Sequence, residues 1–389
     1  MVVRKKTSLD ETVLTIAADQ PEDIEHAEVV RQTYLAEAAG LPVFSQGGFV
    51  LFHTERSPVG RALDRQLAGY DVVNLHWVRA VLDWQTFFPS RPSSQVVVWT
   101  LHDMHPFTGG CHYGAGCGGY TAACGACPVL ESGEAEDLST QVQRRKISAL
   151  RLFTGRRLHI VSPSRWLADQ AAASTVFQGL PITVIPYSLD TTLFRPRDRA
   201  AKRKALGIGA QTRVIFFVAH SVTDVRKGLD VIDDALCRLG PREDVLVLIA
   251  GEGHFGFRSA WPTRHLGPIA SADDLAELYS AADLTVVPSR EDNLPNTVLE
   301  SLACGTAVLG SRIGGIPDMI SEGDNGLLAP VADGEAWAAA LGQALTSREE
   351  LAAMGRRARL RADRDHALDV QPRRYRDLYE RLLEPTAVG

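Results

Sequence analysis

Short apolar, β-branched runs along this chain alternate with longer stretches in which apolar residues return every three or four positions. In the first half, Val13–Ala17, Val50–His53, Asp71–Leu75, Val96–Trp99, Leu158–Ser162 and Ile182–Ile185 read as strands. Ala27–Ala39 (stopped by Gly40 and Pro42), Arg61–Leu67 and Ser164–Ala173 read as helices between them. After Pro186 the pattern restarts, with strands at Val214–Val218, Val245–Ala250, Leu284–Val287 and Ala307–Leu309 and helices at Gly228–Leu239 and Asp273–Ala281. Glu335–Leu345 and Asp369–Leu383 are helical by the same test. Such alternation predicts parallel βαβ units, and here an α/β fold of two Rossmann-like, doubly wound domains facing a cleft. The expected domains are residues 1–190, residues 205–365, and a C-terminal helix at 366–389 that packs back on the first domain through Tyr375, Leu378, Tyr379 and Leu382. The polar, proline-containing Asp190–Arg203 reads as the connection. The first domain lacks the usual glycine-rich turn after its first strand: an acidic stretch follows Val13–Ala17, and Gly47-Gly48 comes too late.

Composition narrows the class. At 389 residues, 45% hydrophobic and 23% charged, the chain is a globular protein too long for one ordinary core. A net charge of -6 argues against general nucleic-acid binding, which needs basic surface. No apolar run approaches the ~20 residues of a spanning helix and no signal-peptide layout opens the chain, so the expected location is cytoplasmic. The basic runs Arg144-Arg145-Lys146 and Arg156-Arg157 read as solvated helix faces, with peripheral contact at the inner face of a membrane as the alternative.

The chemistry concentrates at Val286–Met319. A strand ends at Pro288-Ser289, an acidic, amide-rich loop follows, then a helix, a strand and the turn at Gly314-Gly315. Asp292 in the loop and Glu300 on the helix can bracket a polyhydroxylated ligand, and the backbone amides of Asn293, Leu294, Asn296, Thr297 and Val298 can hold a diphosphate. Glu300 also fits a capping box with Thr297. Gly315 and Cys304-Gly305 complete the expected pocket. Arg226-Lys227, at another strand end, offers compact cations to phosphate. In the first half, His76 and His102-Asp103 stand at neighbouring strand ends, where Asp103 could receive or orient a hydroxyl proton. Cys111, Cys117, Cys124 and Cys127 follow in a glycine-rich loop as C-x5-C-x6-C-x2-C. The closing C-x2-C suits a structural zinc; reactive thiols and two disulfides are the other readings, the last disfavoured in a reducing compartment.

The run PSREDNLPNTVLESLACGTAVLGSRIGGIPDMI resembles retaining glycosyltransferases of the GT-B fold, in the large family that includes bacterial capsule and exopolysaccharide transferases. NLHW at 74–77 and WTLHDMHPFTGGCHY at 99–113 resemble its colanic-acid-type subset. The resemblance implies transfer, with retention, of a sugar from a nucleotide-diphosphate donor (UDP-, GDP- or ADP-linked) to a saccharide or lipid-linked acceptor, with no cofactor required for catalysis. It implies Arg226 and Lys227 on the diphosphate, Glu300 on the ribose, and Asp292 on the donor sugar. Asp292 stands where the family has a longer acid, and Glu291 is one residue out of register. It implies His102 beside the donor sugar. The alternatives are a non-catalytic nucleotide-sugar-binding protein and a sugar-nucleotide epimerase on the same scaffold.

Overall fold

A computed structural model describes residues 62–79, 81–153 and 157–384, with residues 52–57 and scattered positions before them (2–3, 14–15, 28, 32, 45–46 and 49–50). Gly47-Gly48 and most of the expected helix Ala27–Ala39 lie outside the described residues. The chain divides into two compact units: residues 1–163, 167–184 and 377–389 form the first, and residues 164–166 and 185–376 the second.

The first unit is built on four parallel strands, β1 (Val72–His76), β2 (Val96–Thr100), β3 (Arg157–Ser162) and β4 (Ile182–Val184), hydrogen-bonded in that order. β2, VVVWT, is buried at every position, as a strand covered on both faces must be. Trp99 on β2 packs against Trp84 and Phe88 of helix α1 (Trp84–Ser90), with ring centroids 4.7 and 5.8 Å away. Helix α2 (Leu138–Arg151) was invisible to apolar periodicity because its buried face is largely polar: Ser139, Thr140, Gln143 and Lys146 beside Val142 and Ala149. This corrects the reading of 144–146 as a solvated basic run. Successive helical residues step round the axis. Arg144 therefore pairs with exposed Glu136, Arg145 with buried Glu55 at 2.5 Å, and Lys146 is fully buried.

The second unit carries six parallel strands: β5 (Arg213–Ser221), β6 (Val245–Glu252), β7 (Thr263–Gly267), β8 (Leu284–Val287), β9 (Ala307–Ser311) and β10 (Gly326–Ala329). Their order is β7-β6-β5-β8-β9-β10. That is the doubly wound order, and its winding reverses between β5 and β8. Alternate residues of β5 face opposite cores, Ile215 and Phe217 one way and Val214 and Phe216 the other. The expected connection Asp190–Arg203 is partly helical. Asp198 caps α3 (Arg199–Ala205) by accepting from the Ala201 N–H, and Arg203 is buried against Asp283 at 2.7 Å. Helices α4 (Leu229–Leu239), α5 (Ala272–Ala281) and α6 (Asn296–Ala303) cover the sheet. α7 (Arg348–Asp365) escaped the sequence reading because its buried row, Leu351, Met354, Ala358 and Ala362, is narrow and half alanine. α8 (Val370–Leu383) is divided between the units at 376/377, and in the first unit the Asn74 amide donates to the Tyr379 hydroxyl at 2.7 Å. No helix among the described residues is long and apolar enough to cross a membrane.

Candidate functional site

Doubly wound sheets bind ligands outside the carboxyl ends of the strands, where the winding reverses. In the second unit that point brings together the loops after β5 and β8. Asp224 folds the first loop by accepting from the Arg226 N–H, and Gly228 ends it at φ 73°. A Cβ at Gly228 would collide with the Pro288 carbonyl, so glycine permits the two loops to touch. The Arg290 N–H donates to the Arg226 carbonyl at 2.8 Å, and the Arg290 guanidinium grips Asp230 at 2.6 Å.

On this frame the Lys227 ammonium lies 2.6 Å from Asp292 and the Arg226 guanidinium 3.6 Å from the same carboxylate. Arg226 is paired with Asp224 as well, at 3.3 Å, so the two cations are balanced by two carboxylates until an anionic ligand displaces one of them. Asp292 points at these cations and at the Ser289 hydroxyl, 3.4 Å away, rather than outward. The Glu291 carbonyl accepts from Arg226 at 3.1 Å. α6 begins at Asn296 behind Pro295, and no side chain caps it. Thr297 and Glu300 therefore lie inside the helix and form no capping box. Instead Glu300 accepts from the Tyr279 hydroxyl of α5 at 2.8 Å. Burial raises its carboxyl above the ordinary range, and the Tyr279 bond opposes this in part.

The Leu294 side chain is buried in the core, and the Gly315 N–H donates to the Asn293 carbonyl at 2.5 Å. A Cβ at Gly314 (φ 56°) would collide with the Asp292 carbonyl. The glycine pair lets one loop lie against another.

In the first unit, β1 and β2 end in register, His76 opposite Thr100. His76 Nδ1 and His102 Nε2 are 3.0 Å apart. Asp103, buried, accepts from Trp77 Nε1 at 2.9 Å, from His112 Nδ1 at 2.7 Å and from the His105 N–H at 2.9 Å. Burial alone would raise its carboxyl, but these donors outweigh it and hold Asp103 below the usual range. His112 Nε2 lies 2.9 Å from His53 Nδ1, so with His112 donating to Asp103 a chain of hydrogen bonds runs carboxylate–imidazole–imidazole. Burial pushes His53 down to about 3 and His76 to about 4, and lowers His102 and His105. All four are neutral at pH 7 and act through hydrogen bonds. Asp103, so committed, is a weak base that orients its neighbours. His53 and His105 carried no signal of their own in the sequence. Trp77, at φ 46° and 55% exposed, holds a strained left-handed backbone that its bond to Asp103 helps to maintain.

The four loop cysteines are free and line one small cavity of about 20 Å³. Among the described residues no group of three or more His, Cys, Asp and Glu side chains is arranged to hold a metal ion. Cys117 is exposed, Cys127 is buried, and Cys111 and Cys124 are intermediate. The loop is anchored by Lys146, whose Nζ donates to the His105 and Thr108 carbonyls at 2.5 and 3.1 Å. Burial lowers this ammonium to about 8. An unfolded lysine keeps its proton to about 10.5, so between these values Lys146's own contribution to stability rises with pH, opposed by the thiols of Cys111, Cys124, Cys127 and Cys304, which burial raises. The expected slope is up to ~1.4 kcal/mol per pH unit. Urea unfolding from pH 7.5 to 9.5 measures it; an equal slope in Lys146→Met would exclude Lys146 as its origin.

Residues 212–347 match the family described as Glycosyl transferases group 1. That match lies within the second unit. A D-inositol 3-phosphate glycosyltransferase of Saccharomonospora viridis is 36% identical over 202 residues, 47% of this chain and 46% of that protein. The chain spans about half the length of the curated relatives it matches. Among solved structures, sucrose-phosphate synthase from Thermosynechococcus elongatus aligns with TM-score 0.62 at 20% identity, covering 83% of this chain and 76% of that one. Anabaena HepE in complex with UDP-glucose aligns with TM-score 0.60 at 18% identity, covering 83% and 82%. The fold is of the GT-B type, two parallel α/β sheets in one chain.

Proposed function

We propose that this protein transfers a sugar from a nucleoside-diphosphate donor to a hydroxyl acceptor, with retention at the anomeric carbon. The observation that carries the reading is the uncapped N-terminus of α6 beside Lys227 and Arg226, at the point where the winding reverses. Free N–H groups and cations that can turn from Asp292 to a ligand suit a diphosphate, and stabilise it as it leaves. Glu300, four residues into the helix and steadied by Tyr279, suits the ribose hydroxyls. The UDP-glucose complex of HepE supports a UDP-sugar as the first donor to try. Asp292 in the closed loop is a counterion for Lys227; a donor diphosphate takes over that role and frees the acid for the sugar.

The His102–Asp103 region serves the acceptor side, and Trp77 offers an exposed, pre-set ring face against which a sugar can stack. Trp77→Ala should raise acceptor KM about tenfold, roughly 1.4 kcal/mol, and leave donor KM unchanged. Equal changes in both constants would remove Trp77 from the acceptor site. The reading itself is tested by incubating the protein with UDP-, GDP- and ADP-sugars and saccharide acceptors while following nucleoside diphosphate release. Tight nucleotide binding without release for any pair would favour a binding protein instead.

A further inference from the structure

At the opposite edge of the second unit's sheet, before β8 and β9 begin, lies a cavity of about 650 Å³. Its volume is that of a small-molecule site. Five arginines (197, 199, 348, 356 and 359) line it against a single acid, Asp283. Asp283 is already shared among Arg199, Arg203 and Arg348, at 2.5, 2.7 and 3.1 Å. One carboxylate among three guanidiniums leaves positive charge in the wall. Arg197 Nε is buried with no hydrogen-bond partner among the described residues, although its terminal nitrogen reaches Asp273. A buried unpaired donor is destabilising, and an anion in the cavity would relieve it. Arg356 is exposed and has no ion pair or hydrogen bond among the described residues. The carbonyl end of α6 also points here, but Arg359 already donates to the Ala303 carbonyl at 2.8 Å and offsets its partial negative charge.

Apart from Ser280 and Thr306, the remaining wall is apolar. Leu360 is 70% exposed at the rim and Leu351 lies buried beneath it. A purely inorganic ion would leave that surface wet. We propose that this cavity binds an amphiphilic phosphomonoester, with its phosphate on Arg356 and Arg197 and its apolar body against Leu360 and Leu351. Guanidiniums suit the dianion because their paired N–H groups match two phosphate oxygens at once. The site is separate from the loops after β5 and β8 and does not depend on the transferase reading.

Calorimetric titration of the full chain with monomeric n-octyl phosphate tests the proposal. Octyl phosphate should bind at least tenfold more tightly than inorganic phosphate and than n-octanol. Arg356→Ala and Leu360→Asp, both at exposed positions, should each weaken it at least tenfold with an unchanged melting temperature. Inorganic phosphate binding as tightly would overturn the apolar half of the proposal, and octanol binding as tightly would overturn the anionic half. Absence of binding at millimolar octyl phosphate, or equal binding in wild type and both variants, would overturn it entirely.

Discussion

Replacing Lys227 by alanine is expected to lower kcat/KM for the donor about 10²–10³-fold, the usual cost of removing one pre-placed charge from a site where negative charge develops. That factor corresponds to roughly 2.7–4 kcal/mol. Lys227 is expected to matter more than Arg226 for geometric reasons. Its ammonium is free to pivot from Asp292, whereas Arg226 is also held by the Glu291 carbonyl and by Asp224 at 3.3 Å. The fold should tolerate the change, because Arg226 stays 3.6 Å from Asp292 and keeps that buried carboxylate from being stranded. Lys227→Arg should recover only part of the loss, since a planar fork cannot occupy the place of a compact ammonium. Asp292→Ala removes the counterion, so it should tighten binding of bare nucleoside diphosphate while slowing turnover. Steady-state release of nucleoside diphosphate and calorimetry with UDP measure these effects. Wild-type turnover in Lys227→Ala would remove the loop after β5 from the donor site.

The parts of this site that were legible in the sequence are those whose chemistry and position coincide. Lys227 and Asp292 belong to loops that follow strongly apolar strands, so their place at the carboxyl edge follows from the strand pattern alone. Their mutual distance of 2.6 Å does not, because it depends on a parallel pairing of β5 with β8 across 65 positions of chain. Glu300 illustrates a different difficulty. Thr297-x-x-Glu300 has the spacing of a capping box, but the helix starts two residues earlier, with Pro295 in the cap position, and the partner that counts, Tyr279, comes from another helix. The polar face of α2 was illegible for a related reason. Lys146 looks solvated in any sequence window, and only the carbonyls of His105 and Thr108, brought from the preceding loop, make its burial tolerable. α7 shows the limit of periodicity itself, since a row of alanines packs closely without announcing an apolar face.

Truncating Asp103 should have the largest effect on stability. Asp103→Ala is expected to lower the unfolding free energy by roughly 2–6 kcal/mol, as stranding two buried hydrogen-bond donors does at about 1–3 kcal/mol each. The reason lies in what is left behind. The His105 N–H and His112 Nδ1–H are buried and lose their acceptor together, while the exposed Trp77 indole can turn to water but no longer steadies its left-handed backbone. Asp103→Asn separates this structural role from a chemical one. The amide oxygen can still accept from the His105 N–H, but its NH₂ then faces His112 Nδ1 and the Trp77 Nε1–H, and the exposed indole must turn to water. His112 must adopt the other tautomer, and the hydrogen bond to His53 reverses direction. The asparagine variant should therefore fold with a loss of only about 1 kcal/mol, yet turn over at least tenfold more slowly because His112 and His53 present the wrong protons. Urea unfolding and steady-state rates on the same preparations give both numbers. Full activity in a stable asparagine variant would assign Asp103 to architecture alone, and would leave His102 as the residue at this strand end to which the acceptor chemistry could be traced.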